Sequence, residues 1–211
     1  MTGVVNGYAT DQELDSYIAA ANAEVSIGLE NRADELDAAI NAASRAIDAY
    51  TGRLFYDTGA ATARVYPADS YGRIHVDDFH TTTGLVVATD PGGTGTFGTT
   101  WTTSDYQLEP LNGVFGGHTG WPYNSIRATG TRTFPVSTEA LVQVTASWGW
   151  AAVPAEVRQA CLIIAHGMFL RNESPFGVAG FSEFGAVRMT PFDRQAAQML
   201  APFVRHAHLT A

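Results

Sequence analysis

The stretch HVDDFH at 75–80 places two histidines and two aspartates within six residues. These side chains bind zinc and other divalent cations. In an extended strand, side chains alternate between faces, so His75 and Asp77 lie on one face while Asp78 and His80 lie on the other. Four ligands on opposite faces cannot converge on one ion. The spacing therefore favours a solvated turn over a metal site.

A second candidate is GTGTFG at 93–98, which matches the glycine fingerprint of dinucleotide-binding proteins. That chemistry needs a helix to begin directly after the glycines, so that its N-terminal amides can bind pyrophosphate. The residues that follow are TTWTTSDYQLEP, which are rich in threonine and aromatic side chains and end in proline. No helix is expected there. The segment is predicted to be a hairpin loop.

Nucleophilic catalysis has little support either. The single cysteine, Cys161, falls on the apolar stripe of a predicted helix, where an inert, buried thiol is usual. His166 lies five residues further on, about 140° around the helix, so the two side chains do not form a pair. The sequence contains no G-x-S-x-G motif. We predict that the chain is not an enzyme and has no metal or cofactor.

Charge is unevenly distributed over the 211 residues, whose net charge is −9. Residues 1–57 contain ten acidic side chains and three arginines. An acidic surface disfavours tight wrapping of nucleic acid but tolerates a channel through which DNA slides. The N-terminus shows no secretion signal, and the longest apolar run, 160–170, is too short to span a bilayer. We expect synthesis in the cytoplasm and no membrane association.

The terminal blocks carry helix signals. Thr10 and Glu13 form a capping box, and Gly52 is placed to end the following helix. Pro154 suits a first helical position, and Asp193 suits the cap of a short last helix. The second helix is indicated by apolar residues at helical spacing, namely Leu36, Ile40, Ala43, Ile47 and Tyr50.

The middle block has short β-prone runs separated by glycine, threonine, proline and asparagine. The runs lie at 62–67, 72–77, 84–90, 105–109, 125–129 and 141–148. We predict an α+β fold in which terminal helices pack as a small bundle and an antiparallel β-sandwich or barrel is inserted between them. The predicted domains are helices in 1–57, the β insert in 58–150, and helices in 151–211.

An apolar arm, SPFGVAGFSEFGAVRM at 174–189, separates the last two predicted helices. Linkers are rarely so apolar, and no active site needs a lid. We therefore expect its large side chains to dock on a neighbouring subunit, while its glycines let the backbone bend. The predicted subunit-interface residues are Phe176, Val178, Phe181, Phe184 and Arg188.

Three further segments give the chain a family resemblance: IDAYTGRLFY (47–56), FGTTWTTSDYQLEPLNG (97–113) and ASWGWAAVPAEVRQACLIIA (146–165). Together with the arm, they resemble the head–tail connector (adaptor) proteins of long-tailed bacteriophages, in the version found in phages and prophages of actinobacteria. The resemblance covers nearly the whole chain in the same α–β–α order. None of its motifs is catalytic.

The resemblance implies a virion neck protein without cofactors. Such adaptors form a ring, usually dodecameric, beneath the portal; the ring extends the DNA channel and joins a stopper protein. It also implies transient contact with DNA, with the acidic first block facing the lumen. The loops 91–104 and 112–124 are expected on the ring's periphery or tail-facing side. The C-terminal segment is expected to contact the portal through Phe192, Met199, Leu200, Phe203 and Arg205.

Two alternatives from other classes remain open at this point. Four tryptophans, Trp101, Trp121, Trp148 and Trp150, could belong to a carbohydrate- or receptor-binding β module of a phage tail. Their scatter over distinct segments favours a packed β core instead. A metal-dependent hydrolase built on the 75–80 segment is the other alternative.

Overall fold

The computed structural model describes residues 3–21, 32–68, 70–173 and 193–205, together with the backbone of 178–182 and 185–188. The chain divides into two compact units. The helical unit comprises Met1–Gly52 and Val153–Arg205, and the β unit comprises Arg53–Ala152. The chain is mixed α+β, as predicted.

Four helices are described, and three of them begin beside a capping residue or a proline, whereas the second begins after Arg32, whose side chain forms no cap hydrogen bond. In the predicted capping box, the Thr10 amide donates to the Glu13 carboxylate at 2.8 Å, and the Glu13 amide donates to the Thr10 hydroxyl at 3.2 Å. The Asp193 carboxylate accepts from the Gln195 amide at 2.6 Å. The helices are α1 (Asp11–Ala21), α2 (Ala33–Thr51), α3 (Ala155–Glu173) and α4 (Arg194–Leu200).

Helix α3 is the centre of the helical unit, because it packs against α1, α2 and α4. The apolar stripe predicted on α2 is buried except at Tyr50, which is exposed. Helix α2 ends at Gly52, whose φ of 66° is left-handed and whose amide donates to the Asp48 carbonyl at 2.8 Å. The largest fully buried side chains of this unit are Tyr8, Leu14, Ile18, Ile40, Ile47, Phe169 and Phe203.

The β unit contains two antiparallel sheets and a small hairpin. The strands are β1 (Thr62–Tyr66), β2 (Arg73–Phe79), β3 (Val86–Thr89), β4 (Thr99–Thr100), β5 (Tyr106–Glu109), β6 (Val114–Phe115), β7 (His118–Thr119), β8 (Tyr123–Ala128) and β9 (Val142–Ala146). Sheet A has the order β1-β9-β3-β4, sheet B has the order β2-β8-β5, and β6 pairs with β7. Each of the six predicted β runs overlaps a strand, whereas β4, β6 and β7 were not predicted.

One apolar core joins the two sheets, which is the arrangement of a sandwich. Strand β9 contributes alternate buried residues, Val142, Val144 and Ala146. In the described ranges both sheets are open, so the barrel variant of the prediction is wrong. The core consists of Ala68, Ile74, Val76, Phe79, Val87, Trp101, Ile126, Phe134, Val142, Val144, Ala146 and Trp148.

The apolar arm at 174–189 is a β-hairpin in its described backbone. Strands β10 (Val178–Ser182) and β11 (Gly185–Arg188) pair antiparallel, with a register shift between Val178 and Phe181. Inter-strand hydrogen bonds therefore satisfy this backbone, which an apolar loop could not do by itself. The remaining residues of 174–189 lie outside the described ranges.

Candidate assembly surfaces

The two adjacent aspartates of β2 have different environments. The Asp78 carboxylate is buried, pairs with the Arg53 guanidinium at 2.5 Å, and accepts from the Trp150 indole N–H at 2.9 Å. Asp77 is partly exposed and pairs with Arg64 at 2.6 Å. The alternation of the strand is as predicted, but the solvated turn is wrong, because Asp78 lies in the interior of the β unit.

No metal site forms around these residues. In the part of the chain that the structure describes, no three histidine, cysteine, aspartate or glutamate side chains come together as ligands would. His80 lies with its Nε2 atom 3.7 Å from the Asp57 carboxylate. Both aspartates of the segment are already engaged by arginines. The hydrolase alternative therefore has no geometric support here.

The glycine-rich segment is a hairpin loop, as predicted. It joins β3 to β4, in which Ala88 is opposite Thr100 and Thr89 is opposite Thr99. The buried Asp90 carboxylate accepts from the amides of Gly95 and Thr96 at 2.6 and 3.1 Å and from the Thr94 hydroxyl at 3.2 Å. An internal carboxylate thus occupies the donors that a nucleotide phosphate would need.

The thiol of Cys161 is buried in the helical unit. Its sulfur lies 3.6 Å from the Ser44 hydroxyl, which in turn donates to the Ile40 carbonyl at 2.8 Å. Burial raises the pKa of the Cys161 thiol to about 11. A thiol of this kind is protonated at neutral pH, so it is a poor nucleophile.

All four tryptophans are buried in the β unit, at 5% exposure or less. Trp101 stacks on Phe134 with ring centroids 4.4 Å apart, and Trp121 lies 5.0 Å from Trp150 in an edge contact. A sugar-binding platform requires an exposed aromatic face, and these rings instead pack the interior. These buried rings therefore do not support the carbohydrate-binding alternative.

The predicted subunit-interface residues fall on or beside the hairpin. Val178 and Phe181 belong to β10, and Arg188 ends β11. Phe176 and Phe184 lie outside the described residues. The backbone thus brings Val178 opposite Arg188 and Phe181 opposite Ala186. The docking role of this hairpin stays a prediction.

The predicted portal-interface residues separate into two groups. Leu200 and Phe203 are fully buried in the helical unit at 0% and 1% exposure, and Leu200 belongs to α4, which packs on α3. Buried side chains are not available to a partner, so these two hold the segment in place instead. Met199 and Arg205 are half-buried. Phe192 lies outside the described residues.

The backbone of the C-terminal segment is attached to the end of α2. The Arg205 amide donates to the Thr51 carbonyl at 2.7 Å. This bond satisfies one of the carbonyls that a helix leaves free at its last turn. The position of Met199 and Arg205 is therefore set by the helical unit itself.

The hairpin of β6 and β7 and the turn just before it expose apolar side chains that were not among the predicted contact residues. Leu111, Val114 and Phe115 are 56%, 46% and 52% exposed. The sequence does contain a signal for this exposed surface. Residues 110–126 have no charged side chain, although the chain as a whole has a net charge of −9. Exposed apolar groups clustered in one segment are typical of contact surfaces.

No protein-family model matches the chain, and no curated protein sequence matches it. Among solved structures, a chain of the neck of an empty GTA particle, computed with C6 symmetry, aligns over 100% of this chain and 96% of its own length. The TM-score is 0.55 and the sequence identity is 19%. The two chains share a fold.

A second structure in the comparison is a chain of the neck of a native GTA particle, computed with C12 symmetry. It aligns over 83% of this chain and 85% of its own length, with a TM-score of 0.49 and 18% identity. None of the described helices of the present chain is long and apolar enough to cross a membrane.

Proposed function

We propose that this chain is a structural virion protein, a head-to-tail adaptor that forms a ring beneath the portal and joins the capsid to the tail. The observation that carries the proposal is the shared fold with a neck chain over 100% of this chain and 96% of the other. The resemblance of its sequence segments to bacteriophage adaptors supports the same role independently.

A ring built from identical copies needs a head-to-tail contact between two different surfaces of the chain. The neck that shares this fold was computed with C6 symmetry, which is compatible with six or twelve copies. We propose twelve, as the adaptor resemblance implies. The hairpin of β10 and β11, with Phe176 and Phe184 beside it, supplies one side of the subunit contact.

The portal contact is assigned to the C-terminal segment. Met199, Arg205 and Phe192 remain the proposed contact residues, while Leu200 and Phe203 act through packing. The stopper contact is proposed for the loops 91–104 and 112–124. The exposed β6–β7 hairpin belongs to the second of these loops. The assembled ring would be located in the neck of the virion.

The channel of such a ring must let DNA pass without binding it tightly. A net charge of −9, concentrated in the first 57 residues, keeps the long-range interaction with phosphates repulsive. We propose that part of this acidic surface faces the channel, where contacts with DNA are transient. High-affinity DNA binding by the assembled ring would contradict this element of the proposal.

The test is binding to the purified portal, followed by size-exclusion chromatography with light scattering. The wild-type chain is expected to co-elute with the portal in a fixed ratio. Deletion of 176–185 is expected to abolish ring formation. A matched control is Tyr71→Ala, because Tyr71 is 66% exposed in the β unit and this change should leave ring formation unchanged. The proposal fails if the wild-type chain stays monomeric alone and with the portal.

A further inference from the structure

The outer face of sheet B carries two arginines directly opposite each other. Arg73 of β2 pairs in register with Arg127 of β8. Their neighbours Ile74 and Ile126 point into the core, so the arginines lie on the other face of the sheet. Their side chains are 43% and 58% exposed. Like charges in directly opposed positions destabilise a sheet.

One carboxylate serves both arginines. Glu109 of β5 lies 2.8 Å from the Arg73 guanidinium and 3.8 Å from that of Arg127. The group of three side chains therefore retains one positive charge. A guanidinium prefers to bind a carboxylate through two parallel hydrogen bonds, and Arg127 is too distant from Glu109 to do so.

The helical unit instead carries an excess of negative charge. Asp11 and Asp15 are one turn apart on α1, which contains no basic residue. Neither forms an ion pair with any described residue. Partial burial and then the carboxylates of Asp11 and Asp34 raise the pKa of Asp37 on α2. These carboxylates therefore lie close enough to repel one another.

We propose that the Arg73–Arg127 pair of one copy docks on the Asp11, Asp15 and Asp37 carboxylates of the next copy in the ring. This inference rests on the proposed ring, because a head-to-tail contact joins two different surfaces of the same chain. The contact removes like-charge repulsion on both sides at once. It assigns these three carboxylates to the subunit contact rather than to the channel.

Charge complementarity is what selects a second copy as the occupant. Two copies that each carry a net charge of −9 repel each other unless a positive surface of one meets a negative surface of the other. The chain carries both surfaces. A contact between surface charges is screened by salt, so ring formation should weaken as the salt concentration rises from about 0.05 to about 0.5 M.

The experiment uses full-length variants with reversed charges. Variant A is R73E/R127E, and variant B is D15R/D37R. Variant A alone and variant B alone are each expected to raise the concentration needed for half-maximal ring formation by roughly tenfold or more, because like charges then face each other. In a one-to-one mixture, rings in which A and B alternate have opposite charges at every contact. The mixture is expected to form rings within about threefold of the wild-type concentration.

Two further variants serve as controls. R132E makes the same reversal at another half-exposed arginine of the β unit, which pairs with Asp105 at 3.4 Å. It should leave ring formation unchanged. R73Q/R127Q removes the positive charge without placing a new carboxylate beside Glu109, so it tests the contact even if variant A is poorly folded.

Four results of these experiments would contradict the inference. Rings that form equally well in wild type, variant A and R73Q/R127Q overturn it and leave the proposed function standing. Loss of rings without rescue in the mixture overturns the assignment to a second copy's carboxylates. Unchanged rings with weaker binding of a DNA duplex would show that the arginines bind phosphate instead. A wild-type chain that forms no ring, alone or with the portal, overturns both proposals.

Discussion

The helical unit and the β unit obtain their structure in different ways. In the helical unit, local signals such as the capping box at Thr10 coincide with buried apolar stripes, and contacts link neighbouring helices. Both units join residues far apart in sequence, since α3 packs on α1 and α2, but the β unit also depends on individual polar contacts in its interior. Arg53 reaches Asp78, and Trp148 donates its indole N–H to the Thr62 carbonyl at 2.9 Å.

The two units also differ in backbone conformation. Eleven glycines in the described residues have positive φ, and only Gly52 of these belongs to the helical unit. The others serve the turns and close approaches of the β unit. We therefore expect single substitutions at such positions of the β unit to lower the free energy of unfolding more than substitutions in the helical unit do. The predictions below test this difference.

The largest effect is expected at Gly149, which has a φ of 94°. A Cβ atom there would lie 1.8 Å from the Tyr56 carbonyl oxygen, a distance that no side-chain rotation can relieve. Gly149→Ala is expected to lower the free energy of unfolding by about 5 kcal/mol, as measured by chemical denaturation.

The matched control is Gly95→Ala, because Gly95 has a φ of 80° and no atom within 4 Å of its Cβ position. Gly95→Ala should lower the free energy of unfolding by only about 1–2 kcal/mol, because the alanine must then adopt a left-handed backbone conformation. Equal losses for the two variants would mean that the close approach at Gly149 has no role.

The next effect is expected from Asp78→Ala. Removing this carboxylate leaves the Arg53 guanidinium buried without its charge partner, which typically costs about 3–5 kcal/mol. Asp77→Ala is the neighbouring control, since its ion pair with Arg64 is partly exposed and is expected to contribute less than about 1 kcal/mol. The denaturant midpoints of the two variants test this order of stability losses. A larger loss of stability for Asp77→Ala than for Asp78→Ala would contradict it.

A smaller effect is expected in the helical unit. Thr10→Ala removes the hydroxyl that accepts from the Glu13 amide, and loss of such a cap costs about 1 kcal/mol. Thr10→Ser keeps the hydroxyl and should be nearly neutral. Thermal unfolding followed by circular dichroism at 222 nm compares the two variants. A Thr10→Ala loss as large as that of Asp78→Ala would break the distinction between the units.

The smallest effect on the free energy of unfolding is expected from lowering the pH. Burial lowers the pKa of the His166 imidazole, whose ring lies 5.6 Å from that of Tyr17. The unfolded chain therefore binds this proton at a higher pH than the folded chain. Stability should fall as the pH drops below about 6.5, and His166→Gln should reduce that fall. Parallel stability–pH curves for both proteins would contradict the assignment.

Much of the helical unit could be predicted because its signals are local. The capping box, Gly52 and the Asp193 cap are each read from a few consecutive residues, and all three are present. The six β runs were also recognisable from composition and alternation. Strands β4, β6 and β7 were missed because a two-residue strand has no detectable period.

The assembly surfaces were harder to predict, for physical reasons. The sequence marks Leu200 and Phe203 as large apolar residues near a terminus, but only the tertiary structure shows that they are buried. Arg73 and Arg127 are far apart in sequence, and the register of β2 with β8 brings them together. Such pairings depend on tertiary contacts, which a single sequence does not display.

The most direct test of the central claim is electron microscopy of the purified portal mixed with this chain. The account predicts a collar on one end of the portal, with cyclic symmetry and an open central channel continuous with that of the portal. Averages that show the portal alone at saturating concentrations of the chain, or a bound chain that blocks the channel, would contradict it.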